Sequence, residues 1–194
     1  MLRRGLVSSV ALVVLLSLLP ASAIAARAAP SFPRATGRIG VNVVGSWPVN
    51  GRQLAVTGRP LQLEGRIVPY VAGETVSVRI WRGHTLLKAV SVRPKPTRTG
   101  KTATFSVRFQ PEKAGDVQVF ALHERTDAQR RLLAKAPLSI VTPSAGPGTR
   151  SPFVALLQQR LAALGYATPQ TGVYDSLTGL AVLAFRKVNG MPRI

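Results

Sequence analysis

Apolar and polar residues alternate along most of the chain between residues 39 and 142. Leu61, Leu63 and Ile67, for example, are separated by polar side chains. A period of two is typical of strands that bury one face and expose the other to water. On this basis we predict strands at 39–44, 61–67, 76–81, 85–92, 105–109, 117–121 and 138–142.

Turn residues separate these segments, among them Gly73, Gly83 and Gly115. About seven short strands at this spacing predict an antiparallel β-sandwich, mainly β in class, over residues 30–143. The region resembles the immunoglobulin-like domains of bacterial secreted and surface proteins, although it lacks their Cys…Trp…Cys signature.

Two places depart from the alternation. Trp81 falls on the polar face of its strand, so either its ring lies at the surface or the alternation slips there. Residues 127–135 are dense in charge, which predicts a solvated hairpin loop.

The pattern changes to a helical one after a Gly-, Pro- and Ser-containing linker at residues 144–150. The first predicted helix places on one face Val154, Leu157, Leu161 and Leu164, and Gly165 follows as its C-terminal cap. The second places on one face Leu177, Ala181, Phe185 and Val188, between a cap at Asp175 or Ser176 and a stop at Gly190. Residues 167–174 form the loop between them.

The N-terminal residues 1–29 are typical of a secretory signal peptide. Arg3 and Arg4 precede an apolar run from Leu6 to Leu19 that is short for a membrane span. Pro20 breaks the run, and residues 21–23, Ala-Ser-Ala, offer a cleavage site. We therefore expect a secreted or cell-wall-associated protein, outside the cytoplasmic membrane; the alternative is an uncleaved membrane anchor.

Composition and charge narrow the function classes. The chain has no cysteine, which excludes disulfides, zinc-thiolate sites and a cysteine nucleophile in this sequence. Its 26 Lys and Arg against 7 Asp and Glu give a formal charge of +19, which favours binding to polyanions. Basic residues are scattered, without a basic stripe or a nucleic-acid motif, so we expect anionic envelope polymers as partners and no nucleic acid.

No catalytic or metal-ligating set can be assembled from the sequence. His84 falls in a predicted turn and His123 at the end of a strand, and neither lies in a metal-binding motif. Asp175 is the only acid after residue 150, so a two-carboxylate site cannot form there, and we expect it to cap the second helix. We therefore predict that this chain is not an enzyme and holds no cofactor.

The order of residues in the helical part resembles the peptidoglycan-binding domain found at the ends of bacterial cell-wall enzymes. The resemblance covers residues 152–190 and rests on Leu157-Gln158, Leu161, Leu164-Gly165-Tyr166, Gly172, Tyr174-Asp175, Thr178, Ala181-Val182 and Phe185. It implies a small helical bundle at 151–194 that holds a wall enzyme against peptidoglycan.

In the family a further turn and a last helix follow the position of Met191, so we expect an incomplete module and a chain that is a fragment. Phe185, Val188 and Met191 should then be partly exposed, and residues 151–194 alone should be only marginally folded. The order of signal peptide, β-sandwich and helical module resembles the front half of a secreted actinobacterial L,D-transpeptidase. The catalytic cysteine and histidine of such an enzyme would lie in a further domain.

Four polar side chains are candidate contacts to peptidoglycan: Gln158, Tyr166, Tyr174 and Arg186. Aromatic rings stack on sugar faces, and guanidinium groups pair with carboxylates. For Tyr166 and Tyr174, packing against the helix ends is an equal alternative. The predicted function is non-catalytic peptidoglycan binding by the targeting part of a wall-remodelling enzyme. The alternatives are an L,D-transpeptidase fragment and a surface structural or adhesion protein whose sandwich binds another protein.

Overall fold

The structure is a computed structural model that describes residues 36–192; the predicted signal peptide, most of the lead-in after it and the last two residues lie outside the described residues. The strands are β1 (Arg38–Val44), β2 (Trp47–Val49), β3 (Arg52–Val56), β4 (Leu61–Val68), β5 (Val76–Arg82), β6 (Thr85–Val92), β7 (Lys95–Pro96), β8 (Ala103–Phe109), β9 (Gly115–His123) and β10 (Leu132–Val141). Two helices follow, α1 (Pro152–Ala163) and α2 (Ser176–Val188). No described helix has the length and apolar character needed to cross a membrane.

The strands form two sheets, and the predicted β-sandwich is confirmed. The four-stranded sheet has the order β1-β4-β8-β7 and the six-stranded sheet the order β2-β3-β10-β9-β5-β6. These orders contain the ABED and GFC arrangements of an immunoglobulin-like sandwich. One strand pair departs from the predicted antiparallel arrangement, because β3 runs parallel to β10. The chain leaves the first sheet after β1 and joins the edge of the second through the β2–β3 hairpin.

The core lies between the two sheets and consists of the inward-facing residues of the alternating strands. Leu63, Ile67, Ile80 and Val119 are fully buried there, and each such side chain contributes about 1.5–3 kcal/mol relative to exposure. The alternation of Leu63 and Ile67 with polar neighbours therefore predicted the correct buried face.

Gly65 is the exception on the inner face of β4. It lies opposite Phe105 on β8, and a Cβ added at Gly65 would lie 1.9 Å from that ring. The Phe105 ring fills the space that a side chain at position 65 would take, so only glycine fits there.

The pattern missed the β2–β3 hairpin, because its strands are too short to show a period. Asn50 and Gly51 form its turn with φ values of 49° and 76°, the conformation that favours Asn-Gly in tight hairpins. This hairpin is the part of the sandwich that contacts α1.

The structure decides two further expectations, one about residues 127–135 and one about Trp81. The predicted hairpin loop at residues 127–135 is wrong in its second half, because β10 begins at Leu132, which pairs with His123. Leu132 is buried, and burial of its apolar side chain favours a strand here despite the surrounding charges. Trp81 is half-buried next to the buried Ile80, and the alternation of β5 does not slip there, because its register with β9 is unbroken. The irregularity lies in β6, where Ile80 pairs with Lys88 and Trp81 with Leu86.

Candidate functional site

Helix α1 begins and ends where the sequence signals place its ends. The Ser151 side chain accepts a hydrogen bond from the Val154 N–H at 3.2 Å, and Pro152 occupies the first turn. At the other end Gly165 adopts a φ of 87°, and the Tyr166 N–H donates to the Leu161 carbonyl at 3.0 Å. The predicted cap at Gly165 is confirmed.

The predicted single apolar face of α1 is only partly right. Val154 and Leu161 are buried, but Leu164 is 59% exposed. Ala155 and Leu156, which the pattern did not select, are buried in a cluster with Val49 and Leu54 of the β2–β3 hairpin, together with residues packed around them. The helix buries two sides because it lies between α2 and the sandwich, which a one-face pattern cannot anticipate.

Helix α2 is capped by Asp175, as predicted. One oxygen of its carboxylate accepts the Thr178 N–H at 2.8 Å and the Thr178 hydroxyl at 2.7 Å. The backbone bond and then the side-chain bond from Thr178 lower the pKa of Asp175 below 3.8. The charged cap is thus held in place at the start of the helix.

The predicted buried face of α2 is displaced. Leu177 and Val188 are 54% and 76% exposed, so they do not lie in the interior. Thr178 and Ala181 are buried instead, because the hydrogen bonds of Thr178 fix which side of the helix turns toward α1. Phe185 continues that side and is half-buried, and Met191 is 45% exposed. The expected partial exposure of Phe185, Val188 and Met191 is confirmed.

Gln158 lies inside the module, where a ligand has no direct access to it. Its side chain is fully buried. Its Nε2 donates to the Val173 carbonyl at 2.9 Å and to the Thr178 hydroxyl at 2.8 Å, and its Oε1 accepts the Gly172 N–H at 2.8 Å. Among the four candidates, Gln158 therefore holds the loop between the helices and does not line its surface.

The loop is also tied to the segment before α1. Gly172 has a φ of 72°, and its carbonyl accepts the Ser151 N–H at 3.0 Å. Arg150 forms a β-bridge with Val173, and the Tyr174 N–H donates to the Thr149 carbonyl at 2.8 Å. The second half of the predicted linker at 144–150 is therefore hydrogen-bonded to the loop between α1 and α2.

The Tyr174 ring lies beside the first turn of α2, and Arg186 lies two turns further along that side of the helix. The Tyr174 ring is beside Gly179, where an added Cβ would lie 3.7 Å from it. Positions 179, 183 and 186 recur at steps of four and three, so they share one helix face. Leu183 on that face is 44% exposed, and the Arg186 Nε donates to the Pro192 carbonyl at 2.8 Å. We call Tyr174, Leu183 and Arg186 the module face.

Tyr166 is placed by packing against α2. Its ring contacts Phe185 edge-to-face, with 5.9 Å between the centroids. Tyr166 and Tyr174 are both half-buried, so each ring packs and also offers a surface. The structure thus places Tyr174 and Arg186 along one side of α2, about 10 Å apart along the helix axis. It places Tyr166 against the C-terminal half of the same helix.

The two histidines lie in the sandwich. His84 is exposed in the turn between β5 and β6, as predicted. His123 at the end of β9 is buried, and its Nε2 lies 3.2 Å from a carboxylate oxygen of Glu74. Both side chains are 1% exposed, which closes the pair to any large substrate. Residues 36–192 contain no cluster of three or more potential metal ligands.

Comparisons with solved structures concern the sandwich. Similar chains include the CARDB domain of a Pyrococcus furiosus protein (14% identity, 57% of this chain and 97% of that one, TM-score 0.38). Others are a Niemann-Pick type C2 protein from the Japanese carpenter ant (15%, 56% and 96%, 0.36) and the human B7-H4 IgV-like domain (13%, 54% and 96%, 0.30). Likeness at this level supports no inference about function.

A family comparison concerns the helices. No curated protein matches this chain significantly. Residues 150–193 match the family described as "Putative peptidoglycan binding domain". The match includes both helices, the Gln158 network and the module face, and it agrees with the resemblance seen in the sequence over residues 152–190.

Proposed function

We propose that this protein binds peptidoglycan non-catalytically through residues 150–193, outside the cytoplasmic membrane. The observation that carries the proposal is the family match of these residues. The sandwich is then held at the wall as the accompanying domain. Any wall-remodelling reaction, such as that of an L,D-transpeptidase, would belong to a separate catalytic domain.

The module face supports the proposal by its chemistry. A partly exposed surface with an aromatic ring and a guanidinium suits a ligand made of sugar rings and peptide carboxylates. Tyr174 offers a ring for stacking, and Arg186 offers donors for a carboxylate. The formal charge of +19 adds a general attraction to the anionic envelope.

Co-sedimentation with purified peptidoglycan tests the function. At about 0.5 M salt the Debye length is only a few ångströms, which removes most non-specific charge attraction. We expect the protein to pellet with the peptidoglycan under these conditions. Recovery of all the protein in the supernatant would contradict the proposal.

The same assay tests the module face. Tyr174→Ala keeps the backbone hydrogen bonds of this residue but removes the ring, so we expect at least about a tenfold weaker apparent affinity. Tyr174→Phe keeps the ring and should bind nearly as the parent protein does. Equal binding by the Ala and Phe variants would remove Tyr174 from the site.

A further inference from the structure

The sandwich and the helical module enclose a groove between them. It has a volume of about 500 Å³ and lies where the β2–β3 hairpin, β10 and the start of α1 meet the loop before α2. Its lining includes Arg52, Arg150 and the loop residues Thr171 and Gly172. We call it the hairpin–module groove.

The parts of this groove are held rigidly together. Ala155 and Leu156 of α1 are buried against Val49 and Leu54 of the hairpin. The Gln159 amide donates to the Pro48 carbonyl at 3.0 Å across the same junction. The distance between the hairpin and the loop is therefore set by packed elements, as a preformed site requires.

Two of the residues that line the groove are arginines, Arg52 and Arg150. Arg52 comes directly after the tight hairpin turn, and Arg150 is anchored by its backbone bridge to Val173. Both are exposed, and neither has an ion-pair partner within residues 36–192. The one acidic side chain in the lining, Asp116, already accepts a hydrogen bond from the Ser139 hydroxyl at 2.6 Å.

We propose that the hairpin–module groove is a second contact for peptidoglycan, in which Arg52 and Arg150 bind carboxylates of the peptide branches. Arginine is suited to this task because its planar fork pairs with a carboxylate through two parallel hydrogen bonds. The inference rests on the proposed function, and it gives the sandwich a part in the site: Arg52 belongs to the sandwich and Arg150 to the module.

The groove and the module face suit different parts of peptidoglycan. The module face offers an aromatic ring and one guanidinium on α2, which suits a sugar with a nearby acidic group. The groove offers two guanidinium groups at a junction of two domains, which suits the more highly charged peptide branches. Specificity for peptide-bearing glycan over bare glycan would then come from the domain junction.

Co-sedimentation with two preparations of peptidoglycan tests the inference. Both are stripped of phosphate-bearing polymers, so that peptide carboxylates are their main anionic groups, and in one of them these carboxylates are converted to amides. With native peptidoglycan, we expect Arg52→Gln and Arg150→Gln each to weaken the apparent affinity about tenfold, the size expected for loss of a charged hydrogen bond. With amidated peptidoglycan, we expect the difference to disappear, so that Arg52→Gln and Arg150→Gln bind no more weakly than the parent protein.

Arg98→Gln is the matched control, because it removes the same charge from an exposed arginine outside the groove. It should bind native peptidoglycan as the parent protein does. If Arg52→Gln and Arg150→Gln bind like Arg98→Gln, or if they remain about tenfold weaker than the parent protein on amidated peptidoglycan, the groove is not a carboxylate site while peptidoglycan binding stands. If the parent protein pellets with neither preparation, the proposed function itself falls.

Discussion

At the scale of single residues, Glu74 and His123 form the most unusual pair in the described chain. His123 Nε2 lies 3.2 Å from a carboxylate oxygen of Glu74, and both side chains are almost fully buried. His123 Nδ1 has no hydrogen-bond partner in residues 36–192. Burial raises the pKa of Glu74 above 4.5, and a bond to Val71 and the charge of His123 act in the opposite direction. The pair is therefore sensitive to pH.

We predict that Glu74→Gln changes how stability depends on pH. The raised pKa means that Glu74 contributes stability fully below pH 4.5 and loses it as pH rises through its folded-state pKa. A glutamine has the same shape but does not titrate. The unfolding free energy of the variant relative to the parent should rise between pH 4 and pH 7, by about 1.4 kcal/mol for each unit of the pKa shift.

Urea unfolding at several pH values measures this difference. Glu112→Gln serves as the control, because it makes the same change at an exposed position. A free-energy difference between Glu74→Gln and the parent protein that stays constant from pH 4 to pH 7 would show that burial of Glu74 costs no more when the carboxyl is charged.

At the scale of elements, the Gln158 network joins α1, α2 and the loop between them. One side chain holds the backbone at Gly172 and Val173 and meets the hydroxyl of Thr178, which in turn bonds to Asp175. The polar residues that carry the family pattern are thus bonded mainly to one another. They fix the loop that lies beside the groove and leads into the module face.

We predict that Gln158→Leu destabilises the protein by about 2–4 kcal/mol, because it removes the hydrogen bonds of a fully buried side chain to the Gly172 N–H, the Val173 carbonyl and the Thr178 hydroxyl. Urea unfolding gives the free energy, and hydrogen exchange at the Gly172 amide reports the local loss. Gln170→Leu, at an exposed position of the same loop, should cost less than about 0.5 kcal/mol. Equal effects of the two variants would refute the structural role of Gln158.

At the scale of the whole molecule, the sandwich and the helices pack as one compact unit within the described residues 36–192. Leu156 is 3% exposed at their junction, so part of the core of the helical module is supplied by the sandwich. Two short helices alone have little area to bury. This physical reason supports the expectation that residues 151–194 on their own are only marginally folded.

We predict that Leu156→Ala destabilises the intact protein by about 2–4 kcal/mol through the cavity that it leaves at the junction. Leu180→Ala on α2, where the side chain is 62% exposed, should change stability by less than about 0.5 kcal/mol. Thermal unfolding followed by circular dichroism measures both variants. A sharp transition above about 60 °C for isolated residues 151–194, high for a mesophile domain, would show that the helices do not need the sandwich.

The sequence by itself determined the local features that depend on neighbouring residues. The alternation at Leu63 and Ile67 predicted the buried face of β4, because a strand presents alternate side chains to one side. The caps at Asp175 and Gly165 were predicted because each acts within one turn of its own helix. The order of Leu, Gly, Tyr, Asp and Thr residues predicted the family that residues 150–193 match.

Only the tertiary structure decided which residues meet across the chain. Leu156 is buried because α1 lies against a hairpin more than a hundred positions away, and no local period records that contact. Gln158 was expected at a ligand and lies inside, since its partners come from the loop and from the next helix. Arg52 and Arg150 share a groove only because the hairpin and the module pack together. Burial and the meeting of distant charges follow from the packing of whole elements, which a one-dimensional pattern does not contain.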